Sequence, residues 1–299
     1  MRRPLSILAF ICLFGLLALV PSCTAAPAEH VVVLSIDGCR PDLILTSNTP
    51  NIHALAAEGM FTWWAQTIVP SITLPSHSSM LTGCQMAKHG MTWNDKFRPE
   101  AGYVKTSTCF EIAKAAGFGT AMFVGKEKLK HIAKPGTVDQ FQVVEGGALP
   151  ISTAAGDYFK ANKPGILFVH YPDGDSVGHA RGWGSAPQHA AIENCDKGVG
   201  ILRQAIAASG VSDKTIFIIT ADHGGHLLTH GSTAACDMTI PWVCWGPKII
   251  KVGEIQGPVF TCDTCATICY ALGLPEDAQW DGKAVKEVFI PAPAAAATK

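Results

Sequence analysis

Three short runs along the chain are apolar without interruption: Val31-Val32-Val33-Leu34-Ser35-Ile36, Gly165 to His170, and Thr215 to Thr220. They do not alternate, and they are rich in β-branched residues. That pattern predicts strands of a parallel sheet covered on both faces. Longer amphipathic stretches lie between them and predict helices. One starts at Thr49 with Pro50 in its first turn. Another starts at Thr108, with Glu111 three residues on as a capping box. A third runs from about Pro187 to Ser209 and stops at Gly210. Strand–helix alternation of this kind predicts an α/β fold, a doubly wound, mostly parallel sheet with helices on both faces. No linker divides the chain, and the stretch from Asn94 to Gln142 is expected to be a small excursion that shapes a ligand cleft.

The ends read differently. Arg2 and Arg3 precede an apolar run from Leu5 to Val20, followed by the small-residue stretch Ser22 to Ala28. A charged start, an apolar middle and an Ala26-Pro27-Ala28 site predict a secretory signal over residues 1–28 and a secreted or periplasmic protein. A lipidated Cys23 is the alternative, but Val20-Pro21-Ser22 matches that signal poorly. Residues 29–290 are expected to form the catalytic domain, with a low-complexity flexible tail over 291–299. After the signal no apolar run approaches the roughly 18 residues of a membrane span.

Charge narrows the partners. The 299 residues carry 23 Lys and Arg against 24 Asp and Glu, and without Arg2 and Arg3 the net charge is about −3. No nucleic-acid polymer is expected to bind such a chain, and any phosphate must be held by a local site. Nine of the 11 cysteines lie beyond the signal, an odd number. Cys262, Cys265 and Cys269 fall on one helical face among apolar neighbours, with no fourth ligand, and read as core rather than as a zinc site.

Candidate chemistry follows the three strands. The first ends in Asp37-Gly38, the second runs into Asp173-Gly174-Asp175-Ser176-Val177-Gly178-His179, and the third ends in Ala221-Asp222-His223-Gly224-Gly225. Carboxyl ends of parallel strands share one edge, where ligands bind. Carboxylates brought together there repel unless a cation holds them, and interleaved histidines make a bound metal the natural answer. Asp37, Asp175, His179, Asp222, His223 and either His226 or His230 supply six ligands. Six fill two three-ligand sites with open positions, the arrangement of two-metal hydrolysis. Histidine and carboxylate without thiolate suit zinc or a similar metal. A nucleophile belongs near this edge. Thr73 is expected just before a helix that has Pro75 in its first turn, where orphan amides favour an anion.

These motifs resemble those of the alkaline phosphatase superfamily, and within it the type I phosphodiesterase/nucleotide pyrophosphatase family. The resemblance runs from Ser35-Ile-Asp-Gly-Cys-Arg-Pro-Asp42 to Trp280-Asp-Gly282 and includes Thr73-Leu-Pro-Ser-His77, Leu81-Thr-Gly83, His89-Gly90, Asp175-x-x-Gly178-His179, Asp222-His223-Gly224 and His230-Gly231. It implies that Asp175, His179 and His230 hold one zinc ion and that Asp37, Asp222, His223 and Thr73 hold the other. Thr73 is then the nucleophile, and Asn94 binds a phosphoryl oxygen. Two departures stand out: Cys39 replaces a common aromatic, and Ser76 stands where the family often has Asn. A sulfatase is disfavoured, because its turn reads Cys/Ser-x-Pro-x-Arg and this one reads Thr73-x-Pro-x-His77.

Gly125-Lys126-Glu127-Lys128 is similar to a pattern in phosphonoacetate hydrolases of the same superfamily. There a lysine pair contacts the substrate, so Lys126 and Lys128 are candidate substrate-binding residues. As a bare charge run they read as a solvated face. The function implied is an exported two-zinc hydrolase that cleaves a small phosphodiester or pyrophosphate through a phosphothreonine intermediate. A phosphonate C–P hydrolase, a phosphomonoesterase and a non-catalytic metal-containing binding protein are the alternatives.

Overall fold

The computed structural model describes residues 26–291. The signal stretch through Ala25 and the tail from Ala292 lie outside the described residues. Eight strands form one sheet: β1 (His30–Ile36), β2 (Met60–Gln66), β3 (Thr120–Val124), β4 (Gln140–Val143), β5 (Ile166–Tyr171), β6 (Thr215–Thr220), β7 (Thr239–Trp245) and β8 (Gly253–Glu254). Their order is β4-β3-β5-β1-β6-β7-β2-β8. The five from β4 to β6 run parallel, and β7 is antiparallel to both of its neighbours. The three strands expected from apolar runs are β1, β5 and β6. They are adjacent at the centre of the sheet, and every residue in them is buried.

Among the described residues ten α-helices cover the sheet: α1 (Pro41–Thr46), α2 (Pro50–Glu58), α3 (Thr73–Thr82), α4 (Met86–His89), α5 (Cys109–Ala115), α6 (Ala148–Asn162), α7 (Asp173–Arg181), α8 (Ala186–Ala208), α9 (Ala235–Met238) and α10 (Asp263–Ala271). Helices α1, α2, α6 and α7 pack against α8, whereas α3 and α5 pack against α10, which gives the doubly wound arrangement. Cys262, Cys265 and Cys269 are buried at and along α10. Among the described residues no helix is long and apolar enough to cross a membrane.

Local signals behaved unevenly. Thr108 caps α5 by accepting from the Glu111 amide at 3.1 Å. The Glu111 side chain does not complete the capping box and pairs instead with Lys134 at 2.9 Å. Ser185 caps α8, which starts at Ala186, one residue before the expected Pro187. The stretch 94–142 is not an excursion. It contributes α5, β3 and most of β4, so it is built into the sheet, with irregular chain before α5 and between the two strands.

Candidate active site

Register decides which side chains meet. Ser35 pairs with His170 on β5 and with Thr220 on β6, so the three strands end level. Asp37 follows directly, its amide donating to the Tyr171 carbonyl at 3.0 Å. The chain then turns at Gly38, whose φ is +70° and whose missing Cβ would stand 2.9 Å from the Asp175 Cα. Only glycine allows that turn and lets the first turn of α7 approach Asp37. The Gly38 amide donates to Asp222 Oδ1 at 3.1 Å. Asp37, Asp175 and Asp222 thus converge at one buried edge although far apart in sequence.

The histidines are arranged by the hydrogen bonds of their other nitrogen. His179 Nδ1 donates to the Leu228 carbonyl, His223 Nδ1 to the Gly224 carbonyl and His230 Nδ1 to the Ser71 carbonyl, each at 2.8 Å. A carbonyl only accepts, so Nδ1 carries the proton and each Nε2 presents a lone pair. Those lone pairs face carboxylate oxygens. His179 and His230 Nε2 lie 3.2 and 3.3 Å from Asp175 Oδ1, and His223 Nε2 lies 3.2 Å from Asp222 Oδ2 and 3.5 Å from Asp37 Oδ1. Asp37 Oδ1, Asp175 Oδ1 and Asp222 Oδ2 are buried without any hydrogen-bond partner. Lone pairs directed at orphan anionic oxygens repel unless a cation lies between them. A backbone carbonyl fixing the imidazole tautomer is the usual outer support of a metal ligand.

At this edge two groups have ligand atoms within 4.8 Å of one another: Asp175, His179 and His230, and Asp37, Asp175 and His223. The donor set fits divalent metal. Electrostatics agree, since burial drives His223 down to about 4 and keeps it neutral. Burial, reinforced by the Asp37 charge, pushes Asp222 up to about 7. In Asp37 burial opposes ionisation, but the Lys126 ammonium and His170 outweigh it and hold the carboxyl well below the usual range.

Thr73 is the first residue of α3 rather than the residue before it, and Ile72 is the cap. The threonine hydroxyl does not cap the helix. Its Oγ lies 3.4 Å from His223 Nε2 and 3.5 Å from Lys126 Nζ, in a buried position beside the carboxylates. Asn94 Oδ1 accepts from the Leu74 amide at 2.9 Å and from Lys128 Nζ at 3.2 Å. That orients the Asn94 amide group and commits the Leu74 N–H. Lys128 also donates to the Asn94 carbonyl at 2.6 Å.

Lys126 stands further in than a solvated face would. Its ammonium lies 2.7 Å from Asp37 Oδ2 and 2.5 Å from Asp175 Oδ2, bridging the two metal-competent groups. His226, the other histidine of the same loop, lies apart and pairs with Asp237 at 2.7 Å. Two buried residues escaped the sequence reading as site residues. His170 Nε2 donates to Asp37 Oδ2 at 2.8 Å, while its Nδ1 accepts from the Gly125 amide. His77 Nδ1 donates to the Thr73 carbonyl at 2.8 Å and its Nε2 accepts from Ser35 at 2.9 Å, fixing the Thr73 turn against β1. The Thr73-x-Pro-x-His77 spacing was the one signal for the latter. Nothing local marked His170, which lies inside an apolar strand.

The sequence model of the type I phosphodiesterase / nucleotide pyrophosphatase family matches residues 31–232, the span that holds Thr73, Asn94, the lysine pair and the carboxylates and histidines of the sheet edge. The chain belongs to that family. Among curated relatives of the family, an uncharacterized pyrophosphatase/phosphodiesterase of Schizosaccharomyces pombe is 25% identical over 223 residues, covering 65% of this chain and 44% of the relative. Mouse ectonucleotide pyrophosphatase/phosphodiesterase family member 3 is 24% identical over 248 residues, covering 76% and 28%. Mouse family member 7 is 24% identical over 245 residues, covering 70% and 53%. The chain therefore spans between about a quarter and about half the length of these relatives.

Murine ectonucleotide pyrophosphatase / phosphodiesterase 5, solved as an inactive threonine-to-alanine variant with AMP, shares the fold with a TM-score of 0.75 at 15% identity. The match covers 87% of this chain and 100% of that one. A 2-O GAG sulfatase shares it at 0.67 and 14% identity, over 88% and 74%. The fold thus extends beyond the family, and the site residues must separate the chemistries.

Proposed function

We propose that this chain is an exported two-zinc hydrolase that cleaves a phosphodiester or pyrophosphate bond of a small substrate through a phosphothreonine intermediate. The observation that carries the reading is the set of three orphan carboxylate oxygens facing three imidazole lone pairs, with the Thr73 hydroxyl 3.4 Å from one of those imidazoles. Divalent metal ions held by Asp175, His179 and His230, and by Asp37, Asp222 and His223, supply charge neutralisation and a lowered hydroxyl pKa when bound. Imidazole and carboxylate without thiolate favour zinc.

Thr73 Oγ attacks phosphorus in line and loses its proton to solvent. The bond from phosphorus to the leaving oxygen breaks, and that oxygen takes a proton from solvent and departs on the side of His179 and His230, away from Thr73. Water then attacks the phosphothreonine, releasing the phosphomonoester and restoring the hydroxyl. The Asn94 amide group donates to an equatorial phosphoryl oxygen, and Lys126 and Lys128 add positive charge where negative charge accumulates. The Thr-to-Ala change in the inactive murine relative, and the AMP bound to it, support the nucleophile and a nucleotide product. The Arg-led apolar N-terminus supports export.

A second reading rests on the lysine pair, because Lys126 and Lys128 both reach the site. A phosphonate carrying a carboxylate would meet that pair. The deciding measurement is kcat/KM for bis-p-nitrophenyl phosphate over p-nitrophenyl phosphate on zinc-replete protein, with a chelated control. A ratio well above one that the chelator abolishes is expected, and a ratio well below one makes the protein a monoesterase. Zinc bound with silence on both esters turns the assay to phosphonoacetate; failure there as well leaves a binding protein. Thr73→Ala should lower turnover by at least about a thousand-fold with metal content intact. Full activity in that variant would sink the mechanism.

A further inference from the structure

The loop between two metal-competent histidines carries side chains that its backbone role does not explain. His226 and Thr229 close a two-residue turn, exchanging amide–carbonyl hydrogen bonds at 2.8 and 2.9 Å around Leu227-Leu228. The two carbonyls hold the site: Leu227 O accepts from the Trp183 amide and Leu228 O from His179 Nδ1, both at 2.8 Å. Trp183 in turn lies edge-on to His179 and His230, with ring centroids 5.1 and 5.9 Å away. Any residue offers a carbonyl. The first position of this turn, at φ +48°, calls for Gly, Asn or Asp, and leucine is strained there. Leu227 is also 78% exposed and Leu228 57%, so the pair gains little from burial in this chain. Single exposed leucines are ordinary. Two adjacent ones on a strained turn that orients a metal ligand are not.

The proposed reaction fixes what passes this turn. Thr73 lies against His223, so in-line displacement sends the leaving group toward the His179 group, and the turn whose Leu228 carbonyl holds His179 carries the two exposed leucines. Resting on that reaction, we infer that the Leu227–Leu228 turn is an apolar lip for the leaving group, and that the substrate is a phosphodiester whose leaving alcohol carries an alkyl chain or a ring. The two leucines are specificity determinants. The Leu228 carbonyl positions His179, the Leu227 carbonyl holds Trp183 beside it, and the two side chains bind the departing group.

The test uses methyl, butyl, hexyl and octyl esters of adenosine 5′-monophosphate, following AMP release by the metal-replete enzyme. Leaving-group acidity is nearly constant from butyl to octyl, so a change in kcat/KM reports contact with the chain. A rise of about two-fold per methylene is expected, roughly half of what complete burial gives. In the Leu227→Gly/Leu228→Ser double variant the rise should flatten, mainly through KM. Leu227→Gly alone should keep or raise the melting temperature, because glycine suits the left-handed turn. That separates loss of the lip from loss of the fold. Turnover with no dependence on chain length, or a dependence that survives in the double variant, overturns this inference alone. Turnover of none of the esters overturns the underlying reaction and the inference with it.

Discussion

Two clusters of histidine and carboxylate share one loop, which gives His230 to one and His226 to the other, and they differ in one respect that composition does not show. At the sheet edge, Asp175, His179 and His230 bring their ligand atoms within 4.8 Å, and so do His226, Cys236 and Asp237 a few residues along. In the second cluster every carboxylate oxygen is answered. Asp237 Oδ1 accepts from His226 at 2.7 Å, and Oδ2 accepts from the Ser232 amide at 2.9 Å and from its hydroxyl at 2.7 Å. In the first, each histidine commits its N–H to a carbonyl and faces an orphan oxygen with a lone pair. One is a clasp that closes a loop, and the other is a site that needs a cation. Counting donors against acceptors tells them apart, because a buried polar atom left without a partner is costly unless something else binds it.

The strongest test of that contrast is removal of metal. Chelation should abolish turnover and lower the melting temperature, since a metal at a thousand times its Kd stabilises the native state by about 4 kcal/mol. Titration of the metal-free chain should return two equivalents of zinc. Three equivalents would mean that the clasp binds metal too, and the comparison would fail.

Single histidines sharpen it. His230→Ala should lose one equivalent of zinc and at least about a hundred-fold in kcat. His226→Ala should keep both equivalents and cost about 1–2 kcal/mol of stability through a lost hydrogen bond to a buried carboxylate. Metal analysis beside denaturant unfolding reads both variants.

Asp237→Ala probes the clasp alone. It strands the Ser232 amide and His226 and is expected to cost about 3 kcal/mol in urea unfolding, with zinc content unchanged. Loss of zinc in this variant would tie the two clusters together.

A last test concerns a histidine outside both. His89 is buried, accepts from the Met91 amide at Nδ1 and contacts Ser79 through Nε2, and burial lowers it to about 4 from 6.5. Below pH 6.5 the unfolded chain takes up a proton here that the native chain refuses. Stability contributed by this group is therefore lost as pH falls from 6.5 toward 4, by up to about 1.4 kcal/mol per pH unit. His89→Asn keeps the acceptor and removes the titration, so the difference in unfolding free energy between wild type and variant should narrow over that window. A constant difference would show that His89 titrates normally.

The legible parts of the sequence were those whose signal is local. Val31 to Ile36 and Thr215 to Thr220 declared themselves as central strands because a strand buried on both faces must be apolar at every position. Peripheral strands did not. β2 reads Met60-Phe-Thr-Trp-Trp-Ala-Gln66 with mixed burial, and its partner β7 runs antiparallel, which no run of residues announces. Lys126 read equally well as solvated charge until the fold set it between Asp37 and Asp175.

The sequence by itself determined that three carboxylate-bearing turns follow three buried strands, because strand period, glycine turns and helix starts are written within a few residues. What only the tertiary structure decided was which oxygens lack partners, which histidine joins them and which joins the clasp. His226 and His230 are four residues apart and chemically identical. Their roles differ because one meets Asp237 and the other meets the Ser71 carbonyl and Asp175, contacts made by chain folding back from elsewhere.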